Sequence, residues 1–163
     1  MKNTKEDYYP FILAFIVSIL LVTVFSCKTT VKEVKMPTIY EVTYSSEEWR
    51  DVLTPDQHYI MRRSGTERAF SSPLNYEKRD GYYICPADST ILFIAPNKFD
   101  SGTGWPSFTR GNNLEYEWDG RATEVRCITC GSHLGHLFHD IGPGDDKARY
   151  CINGDALIFV PTE

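Results

Sequence analysis

Between Tyr82 and Val160 the chain meets turn-forming residues at short intervals, and this punctuation constrains the fold more than any other feature. The breaks fall at Pro86, Asn97, Asp100-Ser101-Gly102, Gly111-Asn112-Asn113, Asp119-Gly120, Gly142-Pro143-Gly144 and Asn153-Gly154-Asp155. Runs this short leave no room for helices of ten or more residues. They suit strands, and the runs are rich in β-branched and aromatic residues: Tyr82–Cys85, Ile91–Ile94, Leu114–Trp118, Ala122–Cys127, Arg149–Asn153 and Ala156–Val160. The pattern predicts a mainly β domain. The long irregular stretches, 97–108 and 141–147, are the candidates for chemistry, because binding groups concentrate on loops held by a scaffold.

Short helices precede the strands. Ser45-Ser46-Glu47-Glu48-Trp49 reads as a first helical turn with serine caps and acidic residues at the positive end. Thr54-Pro55-Asp56-Gln57 reads as a capping box with proline at the first helical position. Gly65 closes that helix, and Arg62 and Arg63 place positive charge in its last turn.

The N-terminus has another character. Lys2 and Lys5 precede an apolar run from Phe11 to Phe25, shorter than the about 20 residues a spanning helix needs and suited to a secretory signal. It ends in Val24-Phe25-Ser26-Cys27, which resembles a bacterial lipobox with Cys27 as the lipid-bearing residue. This divides the chain into a signal peptide (1–26), a polar tether (27–44) and a folded domain (45–163). The domain is then exported and held at the bacterial cell envelope by an N-terminal lipid. At 163 residues with a net charge of −5 and no long basic run, a nucleic-acid partner is not indicated.

Four cysteines remain in the domain. Cys85-x-x-Asp88 and Cys127-x-x-Cys130 are two knuckles offering three thiolates and a carboxylate, a set that satisfies tetrahedral zinc. A disulfide, with Asp88 capping a turn, is equally open on residue chemistry. Cys151 lies in Arg149-Tyr150-Cys151-Ile152-Asn153. As a strand, this puts Arg149, Cys151 and Asn153 on one face. A guanidinium beside a thiol favours the reactive thiolate, and Asn153 adds a donor. The alternative is an inert core cysteine, although a core face rarely reads Arg-Cys-Asn. His133-Leu134-Gly135-His136-Leu137-Phe138-His139-Asp140 gathers three of four histidines, suited to metal ligation or acid–base work, with Gly135 free to kink and aim His133 and His136 at one site.

Several blocks in order resemble the methionine-R-sulfoxide reductase family: Gly65-Thr66-Glu67-Arg68-Ala69-Phe70, Lys98-Phe99-Asp100-Ser101-Gly102, Gly104-Trp105-Pro106-Ser107-Phe108, His133-Leu134-Gly135-His136 and Arg149-Tyr150-Cys151-Ile152-Asn153. The resemblance implies a small barrel-like pair of antiparallel sheets and reduction of the R epimer of methionine sulfoxide in oxidised proteins. It implies Cys151 as nucleophile, Trp105 and Phe108 at the substrate pocket, and His133, His136, Asp140, Arg149 and Asn153 around substrate and thiolate. His136 is the favoured acid. It also implies structural zinc on Cys85, Asp88, Cys127 and Cys130, and no organic cofactor. Two departures stand out. Asp88 occupies a position that is cysteine in many members, and Thr103 stands where many place a resolving cysteine. A sulfenic acid on Cys151 then needs an external thiol, such as a thioredoxin-like protein. The competing functions are a zinc-stapled module that binds methionine or its oxide without turnover, and a membrane-anchored thiol redox sensor.

Overall fold

The computed structural model describes residues 40–162, within one unit spanning Thr38–Glu163. The predicted signal peptide, Cys27 and most of the predicted tether lie outside the described residues. Two short helices, α1 (Glu48–Val52) and α2 (Pro55–Arg63), lead into strands β1 (Gly81–Ile84), β2 (Ile91–Ile94), β3 (Lys98–Phe99), β4 (Ser107–Phe108), β5 (Leu114–Trp118), β6 (Thr123–Cys127), β7 (His133–His139), β8 (Ala148–Ile152) and β9 (Ile158–Pro161). They form two antiparallel sheets, ordered β2-β1-β9 and β3-β4-β8-β7-β6-β5. Neither sheet closes among the described residues, so the expected sheet pair holds while a barrel does not.

The core follows from alternation along the strands. Tyr83 stands opposite Phe93 on β2 and Phe159 on β9, a row of aromatics across the small sheet. Phe108 on β4 and Tyr150 on β8 are register partners across the large sheet. The rows meet: the Phe93 and Phe108 rings stack at 4.3 Å, Tyr83 meets Phe108 edge-on at 5.0 Å, and Tyr150 meets Phe93 at 6.0 Å. Tyr83, Phe93 and Phe108 are fully buried. Truncating such a ring to alanine costs about 3–5 kcal/mol. Because strand neighbours point to opposite faces, residues next to this row, Ser107 and Cys151, point away from the core.

The N-terminal helices behave largely as their caps predict. Thr54 Oγ1 accepts from the Gln57 N–H at 3.3 Å, and Gln57 Oε1 accepts from the Thr54 N–H at 3.0 Å. Ser45 and Glu48 make the same reciprocal pair ahead of α1. The left-handed residue that ends α2 is Ser64 (φ 49°), one before the predicted glycine. Gly65 is required for another reason: a Cβ there would sit 2.4 Å from the Tyr59 ring.

Residues 40–44, read as the end of the tether, lie against the domain. The Val42 N–H donates to Thr129 O at 3.0 Å, and Tyr40 Oη donates to Glu115 at 2.8 Å. The Tyr40 ring occupies the space beside Gly131. This strap therefore covers the Cys127–Cys130 knuckle. No helix among the described residues is long and apolar enough to cross a membrane.

Candidate active site and metal centre

The two knuckles converge. Cys85, leaving β1, meets Cys127 and Cys130 at the end of β6, and the four ligand atoms of Cys85, Asp88, Cys127 and Cys130 lie within 4.8 Å of one another. Cys85 Sγ and Cys130 Sγ are 3.7 Å apart, and Cys127 Sγ is 3.3 Å from Asp88 Oδ2. Sulfurs at two corners of a tetrahedron around zinc stand about 3.8 Å apart, given Zn–S bonds of about 2.3 Å. A disulfide requires about 2.05 Å, and all four thiols of the domain are unpaired. Asp88 does cap a turn, since its Oδ1 accepts from the Thr90 N–H at 2.8 Å, but Oδ2 is left facing the sulfurs. Hydrogen bonding among the thiols pulls Cys127 far down and pushes Cys85 and Cys130 up. Three buried thiols and a carboxylate crowded together in this way suit a divalent cation, which would bind the thiols as thiolates. The set fits a structural zinc ion, held by Cys85, Asp88, Cys127 and Cys130.

Cys151 sits elsewhere, on the outer face of the large sheet. A cavity of about 170 Å³ is lined by Thr66, Trp105, Gly135, His136, Phe138, Cys151 and Asn153. Cys151 stands directly opposite His136 on β7 and Ser107 on β4. Arg149 shares its face, as predicted. The guanidinium is held bidentate by Asp140, Nε to Oδ1 at 2.9 Å and Nη2 to Oδ2 at 2.6 Å, and lies 4.7 Å over the Phe138 ring. Burial pushes the Cys151 thiol up, while Arg149 and the Thr103 hydroxyl pull it down. Arg149 lowers the thiol as predicted, but burial outweighs that pull, so the net direction is upward.

Two other expectations change. Phe108, predicted at the substrate pocket, is fully buried on the opposite face against Tyr83 and Phe93. Alternation along the two-residue β4 gives Ser107 to the Cys151 side and Phe108 to the core. Asn153 lines the cavity, but its amide is engaged by backbone: Oδ1 accepts from the Glu67 N–H at 3.0 Å, and Nδ2 donates to Leu134 O at 3.0 Å. It lies beyond the end of β8 and anchors a loop instead of donating to the thiol.

The histidines are arranged by a bulge. In a regular strand, residues three apart face opposite sides. Here Val125 pairs with Gly135 and Arg126 with His133, so Leu134 is an extra residue and His133 returns to the face of His136. The rings meet edge-on at 5.4 Å. Gly135 serves close approach, since a Cβ would lie 2.1 Å from Cys151 O. His133 is buried and bonded through Nδ1 to Glu124 at 2.6 Å, and its Nε2 has no partner among the described residues. Burial lowers the His133 pKa against the opposing pull of Glu124. His136 lines the cavity and is held through Nε2 by Asp119 at 2.8 Å. Hydrogen bonds from the Ala122 and Arg121 N–H groups and from His136 keep the Asp119 carboxyl well below its usual range.

Sequence reasoning did not assign Asp119 or Glu124 to the site. Asp119 reads as a turn-former, and Glu124 reaches His133 only through the bulged β6–β7 register. Glu67 Oε1 and Oε2 reach the turn after Cys151, also unassigned.

Comparison with known proteins places these features in a family. The SelR domain model matches residues 53–161. A peptide methionine sulfoxide reductase MsrB of Methanosarcina mazei is 44% identical over 130 residues, 76% of this chain and 92% of the relative. The MsrB of Agrobacterium fabrum is 42% identical over 128 residues, 74% of this chain and 94% of the relative. The chloroplastic peptide methionine sulfoxide reductase B1 of Arabidopsis thaliana is 46% identical over 120 residues, 69% of this chain and 59% of the relative. With a family model over most of its length and two relatives matched across nearly their whole chains, the protein belongs to the SelR, or MsrB, family.

Proposed function

We propose that this protein is a peptide-methionine (R)-S-oxide reductase that returns methionine-R-sulfoxide residues of oxidised proteins to methionine, with Cys151 as nucleophile. The observation that carries the reading is the placement of one unpaired thiol in an aromatic-walled cavity, with an imidazole directly across the ladder. The substrate's methyl group packs against Trp105 and its oxygen faces His136. Cys151 loses its proton and attacks the sulfoxide sulfur. The sulfur–oxygen bond breaks, and protonation, for which His136 is placed, lets oxygen leave as water; such assistance is worth about 10²- to 10⁴-fold. Asp119 orients that imidazole. Water then adds to the Cys151 sulfur as methionine departs, leaving a sulfenic acid. The substrate sulfur gains two electrons and the Cys151 sulfur loses two. Arg149, fixed by Asp140, supports the thiolate.

Two external thiols then return Cys151 to its starting state, releasing water and a disulfide. The support for an external donor is Thr103, a hydroxyl where an internal thiol would be needed, and the commitment of the other three domain thiols to the metal site. Zinc held by Cys85, Asp88, Cys127 and Cys130 would tie the two knuckles together, a structural role separate from the cavity that holds Cys151.

Incubating the protein with each epimer of a methionine sulfoxide peptide and dithiothreitol tests the assignment. Methionine should form from the R epimer alone, and Cys151→Ser should abolish the reaction with the fold intact. Equal rates on both epimers, or an active serine variant, would refute it.

For location, we propose cleavage before Cys27 and lipid attachment to it, which puts the domain in the cell envelope on a membrane anchor. The support is the charged start, the apolar run and the Val24-Phe25-Ser26-Cys27 sequence. Mass spectrometry should find a diacylated mature N-terminus that Cys27→Ala removes; an unacylated wild type would overturn it.

A further inference from the structure

The block from Gly65 to Phe70 has no part in the mechanism above, yet one of its residues touches both walls of the cavity. Glu67 is 9% exposed and all of its polar groups are engaged. Its N–H donates to Asn153 Oδ1 at 3.0 Å, and its carbonyl accepts from the Trp105 indole Nε1 at 3.2 Å. Its carboxylate spans the turn that follows Cys151: Oε1 accepts from the Gly154 N–H at 2.8 Å and Oε2 from the Asp155 N–H at 3.0 Å. Three residues on, the Phe70 N–H donates to Gly104 O at 2.7 Å and holds the loop that carries Trp105.

A carboxylate buried this far is costly unless fully hydrogen-bonded. Burial pushes the Glu67 carboxyl up, and the Gly154 and Asp155 N–H groups pull it back. An apolar residue would fill the space more cheaply, so packing alone does not account for a glutamate. What the carboxylate adds is a tie between chain segments. The turn after β8, beginning two residues past the thiol at Asn153, and the loop bearing the pocket tryptophan are both bonded to Glu67.

We propose that Glu67 is a positioning residue that sets the distance between Cys151 and Trp105, and thereby the placement of the sulfoxide sulfur relative to the attacking thiolate. This rests on the reading of Cys151 as nucleophile and Trp105 as pocket wall. Misplacing a reacting group by about 1 Å costs about 10²-fold in rate. Glu67→Gln keeps the size and one acceptor but turns an N–H₂ toward a backbone N–H, so one arm of the tie is lost.

The test combines kinetics with two measurements that need no turnover. The chain has three tryptophans, Trp49, Trp105 and Trp118, so the Trp105 indole N–H is assignable by elimination in a ¹H–¹⁵N spectrum. In Glu67→Gln the Trp105 indole resonance should move while those of Trp49 and Trp118 stay. The rate of iodoacetamide alkylation at Cys151 should change, and kcat/KM for the R-sulfoxide peptide should fall about 10²-fold, mostly in kcat. Glu67→Asp, which keeps the charge but shortens the reach, should show the same changes at smaller size; it is read in place of the glutamine variant if that one does not fold. A variant with a dispersed native spectrum, an unmoved Trp105 resonance and kcat/KM within about twofold of wild type would overturn the proposal and leave Glu67 a stabilising residue only. If the wild type did not reduce the sulfoxide at all, the function reading would fail, while the resonance and alkylation results would still decide whether Glu67 couples the two walls.

Discussion

The molecule holds cysteine in two opposite settings. At the knuckles, three buried thiols and a carboxylate face one another within 4.8 Å. On the outer face of the large sheet, Cys151 stands beside a guanidinium, a hydroxyl and an imidazole, at the wall of a cavity. Thiols surrounded by anionic partners attract a cation and become inert ligands. A thiol beside cationic and hydroxyl partners, with space in front of it, is left for a substrate. The backbone contributes equally: the knuckles sit in tight turns after strands, where Cys85 accepts from the Ser89 N–H and Cys127 from the Gly131 N–H through their carbonyls. Cys151 sits within a ladder, where register decides its neighbours.

The strongest way to break this contrast is to make each site fail separately. Cys127→Ser removes one ligand and leaves a buried cluster of two thiols and a carboxylate. Bound zinc, near one per chain by elemental analysis in the wild type, should be lost, and the melting temperature should fall on the order of 10 °C. Cys151 alkylation in whatever remains folded at low temperature should be close to wild type. Retained metal, or a fall in alkylation as large as the fall in stability, would show that the two regions are not independent.

Thr103→Cys asks whether the outer site can be given the internal partner it lacks. The Thr103 hydroxyl is near enough to lower the Cys151 thiol's pKa, so the loop places position 103 on the thiol's side of the site. After one turnover without reductant, the variant should lose two titratable thiols to a disulfide between the introduced thiol and Cys151, as peptide mapping would locate. The wild type should instead carry a dimedone-trapped sulfenic acid on Cys151. A wild-type link from Cys151 to Cys85, Cys127 or Cys130 would dissolve the distinction between the two kinds of site.

The smallest expected effect sharpens the electrostatic half of the comparison. Burial holds the Cys151 thiol above its ordinary value, and Arg149 opposes it. Arg149→Met removes the opposing charge, so the thiol should rise further. The pH profile of Cys151 alkylation should move to higher pH, and the thiolate fraction at neutral pH should fall about tenfold for every pH unit by which the midpoint rises. An unmoved profile would mean that Arg149 serves Phe138 and Asp140 alone.

Much of this was legible in the residues. Turn-formers at short intervals leave only short strands, and the capping box at Thr54–Gln57 forms at its predicted atoms. Ligand chemistry and spacing offered the knuckles as a zinc set with a disulfide equally open, and the structure decides between them by leaving the thiols unpaired, with Cys85 Sγ and Cys130 Sγ 3.7 Å apart. The strands β3, β4 and β7 were not legible. The first two are two residues long, and β7 mixes three histidines, a glycine and a bulge, which erase the period-two pattern.

Residue identity, read along one strand, determined that Arg149 and Cys151 share a face, because alternation is a property of the backbone. Identity also offered the knuckles as a possible metal set, and the family resemblance marked Thr103 as the position without a resolving thiol. Tertiary structure alone decided which neighbours those faces meet. The β6–β7 bulge puts His133 against Glu124, the β5–β6 turn brings Asp119 to His136, and the strand pairing of β4 turns Phe108 from the pocket into the core. It also decided the balance at Cys151, where burial outweighs the adjacent guanidinium. Desolvation depends on everything packed around a group, and no local run of sequence records that sum.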